Sequence, residues 1–111
     1  MITAITTLKQ LAALEAAIKV ASEKALEFKD TEDGGTCNMD SCVLGVKIPK
    51  HLRERTCLNL YKCTWGFYRG WYFVHSLPLY GQGNMRTRMA EAASESLRAQ
   101  GYRADVYYEV D

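Results

Sequence analysis

Residues 56–78 read Thr56-Cys57-Leu58-Asn59-Leu60-Tyr61-Lys62-Cys63-Thr64-Trp65-Gly66-Phe67-Tyr68-Arg69-Gly70-Trp71-Tyr72-Phe73-Val74-His75-Ser76-Leu77-Pro78. Aromatic and β-branched side chains crowd both sides of Arg69-Gly70, which suits a pleated sheet folded at a two-residue turn, so the stretch predicts an antiparallel hairpin closing there. In that register Phe67 faces Tyr72 and Trp65 faces Val74, while Thr64, Tyr68, Trp71, Phe73 and His75 share the other side. Both faces are therefore aromatic. One must pack against helices. The other can offer the rings of Trp71 and Phe73 to a planar ligand, or bury them as ordinary core.

Helical composition flanks this hairpin. From Thr3 to Phe28 the chain is rich in Ala, Leu, Lys, Glu and Gln and lacks Gly and Pro, which predicts one long helix. Ala4, Leu11, Ile18 and Ala25 recur every seven residues beside Thr7, Leu14, Ala21 and Phe28, giving a small apolar face that wants a close partner. At ~1.5 Å per residue such a helix reaches ~38 Å, comparable with the diameter of a domain this size, so it would cross the whole of it. Self-association through part of that seam is the expectation, set beside a helix that simply crosses a sheet. Asp30 to Thr36 breaks the helix, Val43-Leu44-Gly45-Val46 reads as a buried strand, and Lys47 to Arg55 is a basic connector with Pro49 at a first helical turn. Asn84 to Gln100 is amphipathic, with Met85, Met89, Ala92, Ala93 and Leu97 on one face. Gly101 ends it, and Ala104, Val106, Tyr108 and Val110 alternate inward along a last strand.

The order of elements predicts an α+β domain spanning residues 1–111. An antiparallel or mixed sheet containing the aromatic hairpin is covered by the long N-terminal helix and a second, C-terminal helix. With 111 residues and 48% hydrophobic content the chain holds one core and not two. Fourteen basic against thirteen acidic side chains give a net charge of +1, too little for indiscriminate binding to duplex nucleic acid or an anionic membrane. Any anion site must be local. The start of the chain lacks a signal-peptide pattern and no apolar run reaches spanning length, which predicts a cytosolic protein with reduced cysteines.

The chemistry-bearing stretch is Tyr80-Gly81-Gln82-Gly83-Asn84-Met85-Arg86-Thr87-Arg88. A Gly-x-Gly turn entering a helix presents free N–H groups and a positive dipole end, and Arg86 and Arg88 add permanent cations where acids would suit the dipole better. That combination favours a phosphate. It also fits an ordinary turn with Asn84 as N-cap and both arginines solvated or paired with Glu91 and Glu95. Other chemistry is weaker. Cys37 or Cys42 with His51 or His75 is a nucleophile–base possibility, and the spacings Cys37–Cys42 and Cys57–Cys63 lack the short knuckles of a structural zinc site. No cofactor is implied.

The helix, the Asp-Gly-Gly-Thr-Cys-Asn-Met-Asp loop, the aromatic hairpin and the Gly-Gln-Gly-Asn-x-Arg-x-Arg helix with its short final strand resemble, across nearly the whole chain, the Thoeris anti-defence sponge proteins of phages. These sequester cyclic ADP-ribose signals. The resemblance implies a symmetric homo-oligomer in the host cytosol, an aromatic ring stacked on the base, an asparagine, and arginines on the phosphates. The matching types here are Trp71 or Phe73, Asn84, and Arg86, Arg88, Arg98 and Arg103; Gln82 and Gly83 of the turn complete the expected ligand-binding set. Arg98 and Arg103 lie at the far end of the helix from the turn, so one pocket can use both arginine pairs only if a second chain contributes. Three functions follow: capture of a small phosphorylated nucleotide, such as a cyclic ADP-ribose isomer or cyclic oligonucleotide, without degrading it; a macromolecule-binding inhibitor or structural protein; and a Cys/His enzyme.

Overall fold

The computed structural model describes residues 1–29, 39–79 and 83–109. Its elements in chain order are α1 (Leu8–Leu26), β1 (Ser41–Leu44), α2 (Lys50–Arg53), β2 (Leu60–Lys62), β3 (Tyr72–Val74), α3 (Gly83–Ala99) and β4 (Ala104–Tyr107). The four strands form one sheet in the order β2-β3-β1-β4 with every pairing antiparallel. That order is the one a split β-α-β pair produces. The expected α+β domain with two layers is what the chain forms.

The pleat sorts side chains between two environments. Cys42, Leu44, Tyr72, Val74 and Ala104 point to the helices and share the main core with Leu11, Leu14, Ile18, Met89 and Leu97. Val43 and Phe73, opposite each other across β1 and β3, point the other way and form a smaller cluster with Cys63. α1 and α3 pack together, and α3 lies on β1 and β4. Ala17, Ala21 and Ala25 of α1 and Ala90 and Ala93 of α3 are all buried, so small side chains let the helix backbones approach closely.

Two boundaries differ from expectation for local reasons. The first helix starts at Leu8 rather than Thr3, because Thr7 accepts the Gln10 amide N–H at 3.1 Å while Gln10 Oε1 accepts the Thr6 and Thr7 amides at 2.6 and 3.1 Å. This is a capping box. The residues before it join the sheet region instead, through bridges from Ile2 to Tyr102 and from Ala4 to Lys47. The helix thus spans 19 residues, or ~28 Å, and fits within the 42 Å long axis of the molecule.

The hairpin also pairs differently. Leu60 faces Val74, Tyr61 faces Phe73 and Lys62 faces Tyr72, so Phe67–Tyr72 and Trp65–Val74 are not partners. Cys63 and Trp71 continue the ladder, with Cys63 N donating to Trp71 O at 2.7 Å and Gly70 N to Cys63 O at 2.8 Å. Residues 64–70 become a loop whose rings fold over the sheet. Gly70, at φ +89°, makes that return in a conformation other residues resist. At the far end β4 buries Ala104 and Val106 as expected, but Tyr108 is 61% exposed. The predicted break at Asp30–Thr36, Cys37 and Val110 lie outside the described residues.

Candidate functional site

Register determines which side chains meet on the face opposite the helices. Gly45, just past β1, donates its N–H to Arg103 O at 2.7 Å, and Arg103 Nε donates to Gly45 O at 3.2 Å. The Arg103 guanidinium sits 4.7 Å from the centre of the Trp71 ring, a cation–π stack. Gly45 makes room for it: a Cβ there would lie 2.5 Å from Arg103 Nε and 2.8 Å from the Trp71 indole. A lone glycine in an apolar strand often marks such an approach.

Beside this stack lies a cavity of about 480 Å³ lined by Met1, Trp71, Arg98, Arg103 and Asp105 among others. Arg98, near the end of α3, donates to Ala104 O at 3.0 Å and stands 3.8 Å from Asp105 Oδ1, with both side chains about half exposed. Tyr68 reaches in from the loop, meets Trp71 edge-on at 4.9 Å and donates its hydroxyl to Asp105 Oδ2 at 2.6 Å. Burial, then the bond to Asp105, pushes its phenol up to about 12. Farther along the face, Trp65 Nε1 donates to Tyr107 OH at 3.2 Å, and the Trp65 ring lies 5.7 Å from Phe73. The structure therefore brings Trp71, Arg98 and Arg103 together within a single copy of the chain.

The other predicted residues lie apart from this cavity, and of the described ones only Phe73 and Arg86 share one. Phe73, buried at 8% exposure, lines a cavity of about 190 Å³ with Ser41, His75 and Arg86. Arg86 is already engaged: Nε donates to Asp40 O at 2.8 Å and Nη1 to Leu79 O at 3.2 Å. Asp40 is buried and accepts from Thr87 Oγ1 at 2.6 Å and from Glu109 N at 2.8 Å. These bonds tie the start of α3 to the start of β1. Gly83 is buried at φ +66° and Asn84 is exposed inside the first turn of α3 rather than ahead of it. Arg88 lines a groove between α1 and α3 with Lys24, Glu91 and Glu95, and Gln82 lies outside the described residues. Arg86 and Arg98 are twelve helix positions apart, ~18 Å.

Volume and occupancy separate the two groups. Small-molecule sites occupy roughly 300–1,000 Å³, which the Trp71–Arg98–Arg103 cavity meets and the Arg86 cavity does not. Sequence reasoning missed Gly45, Tyr68 and Asp105, which hold the stack in place, and Asp40, whose burial no local pattern announces.

Of the described thiols, Cys63 packs beneath the same aromatic face and the other two sit elsewhere. Cys42 is fully buried with Ser94 Oγ at 3.1 Å, and burial pushes its thiol up to about 11, far from a nucleophile's range. Cys63 is buried and bonds Trp65 O, while exposed Cys57 lies 3.8 Å from Glu15. Among the described residues no group of three His, Cys, Asp or Glu side chains could hold a metal, and no helix is long and apolar enough to cross a membrane. The chain matches no family model, no curated protein and no solved structure.

Proposed function

We propose that this protein captures a small phosphorylated, nucleotide-type molecule in the Trp71–Arg98–Arg103 cavity and holds it without changing it. The observation that carries the reading is the Arg103 guanidinium stacked 4.7 Å over Trp71 beside Arg98. With Nε tied to Gly45 O, the terminal nitrogens of Arg103 are oriented toward a phosphate. The outer face of its planar guanidinium is a surface on which a base stacks. Arg98, held by its bond to Ala104 O, has a long, half-exposed pair with Asp105 to exchange for a second phosphate contact. The resemblance to phage anti-defence sponges narrows the ligand to a cyclic ADP-ribose isomer or cyclic oligonucleotide immune signal in the host cytosol. It adds an assembly of copies in which the Asn84–Arg86 end of one chain meets the Arg98–Arg103 end of another.

The test is calorimetric titration of the full chain against cyclic ADP-ribose isomers and cyclic di- and trinucleotides, then chromatography of the ligand released by heat. Tight binding with intact ligand is expected, on the scale of −12 kcal/mol for nanomolar affinity. A ligand recovered altered would instead make the protein an enzyme.

A second reading is favoured by the aromatic rings left open. Tyr61, Trp65 and Phe67 are 56%, 45% and 88% exposed, and an exposed aromatic patch is what a macromolecular partner covers. No heat with any small molecule, together with loss of partner capture in Tyr61→Ala and Trp65→Ala, would put that reading first.

A further inference from the structure

Lys47, Lys50, Arg53 and Lys62 line a cavity of about 470 Å³ whose floor includes Ile48 and Tyr72. We propose that this is a second anion site, independent of the Trp71–Arg98–Arg103 cavity, and that it takes the condensed phosphate chain of a small molecule. Gly70 and Tyr72 border it whereas Trp71 borders the other cavity, so the two lie on opposite sides of the same strand.

Three elements, α2, β2 and β3, and the connector at Lys47 converge to build it. Lys47 is pinned by its backbone, with its N–H donating to Thr3 O at 2.9 Å and its carbonyl accepting from Ile5 N at 2.8 Å. The α2 turn, anchored by buried Leu52, sets Lys50 and Arg53 three residues apart on one side. Arg53 lies 6.0 Å from the Tyr72 ring centre, within cation–π reach. Lys62 closes the rim from the end of β2.

Charge decides the ligand class. Among the described residues none of these four cations pairs with a carboxylate, so their mutual repulsion is left to solvent or to a bound anion. A monophosphate carries about −1.5 to −2 at pH 7, which two of them would balance. Four match two or more phosphates joined together. The apolar floor adds room beside the chain for the body of the molecule that carries it.

The experiment is calorimetric titration of the full chain with sodium tripolyphosphate, pyrophosphate, ATP and sulfate at low salt, where screening is weak. Tripolyphosphate and pyrophosphate are expected to bind more tightly than sulfate. The double variant Lys50→Glu with Arg53→Glu should lose affinity on the order of tenfold or more, and Lys9→Gln, at an exposed position that lines neither cavity, should keep it. All four side chains are exposed, so thermal melting checks that the variant is folded, and Lys47→Gln gives the same readout without touching α2. ATP bound more tightly than tripolyphosphate would identify a nucleotide tail as the source, and the reverse order a free condensed phosphate. Absence of binding, equal affinity for sulfate, or binding unchanged in both variants would overturn the proposal.

Discussion

Gly45 carries more of the candidate site than any side chain in it. A Cβ at this position would press on both partners of the Trp71–Arg103 stack, at 2.8 and 2.5 Å, and the indole has no flexible end to yield. Gly45→Ala should therefore destabilise the protein by about 1–3 kcal/mol and weaken ligand binding in parallel, read by denaturant titration and calorimetry. Arg103→Lys is milder for folding and informative for function. It keeps the charge and loses the planar fork, so affinity should fall while the melting temperature holds; unchanged affinity would remove Arg103 from the phosphate. Cys42 gives a prediction in pH. A thiol whose pKa is raised by burial stays protonated longer when folded, so its contribution is complete below pH 9 and is lost as pH rises toward 11. That contribution is about 3 kcal/mol. Cys42→Ala should flatten the fall in urea midpoint over this window, and a slope identical to the parent's would refute the assignment.

Secondary structure was legible wherever periodicity extended over several turns. Of the rows the spacing predicted, Leu11, Leu14, Ile18, Ala21 and Ala25 are buried while Thr7 and Phe28 are exposed, and in α3 Met85, Met89, Ala93 and Leu97 are buried while Ala92 is only partly so. The starts and pairings were not legible. Ile2 and Ala4 have partners distant in sequence, and no helix-favouring composition overrides the Thr7–Gln10 box once Thr6 and Thr7 are offered amide partners. Thr7→Ala should cost about 1 kcal/mol and lower the melting temperature by about 4–8 °C, measured by circular dichroism. The hairpin turn was misplaced because Arg69-Gly70 satisfies a two-residue turn as written. The chain instead loops through residues 64–70, and Gly70 brings Trp71 back opposite Cys63 rather than Tyr68. That displacement is why Trp71 meets Arg103, and why the site was legible in its residue types but not in its grouping.

For the whole molecule, the two arginine groups lie at opposite ends of α3, and the seam that suggested self-association is filled instead by contact between α1 and α3. An assembly of copies would therefore need other surfaces. Sedimentation of the ligand-bound protein should give a multiple of 12.6 kDa, and a monomer that binds tightly would confine the site to one copy. Net charge of +1 predicts that salt weakens binding through the local arginines rather than through a global field.

Both tryptophans of the chain belong to the same hairpin: Trp71 lies under Arg103, and Trp65 touches Phe73 and Tyr107. The helices contain none. Intrinsic fluorescence thus reports on this one patch and is nearly blind to the rest of the fold, so a ligand that displaces or joins the stack writes its arrival directly into the emission, without a label.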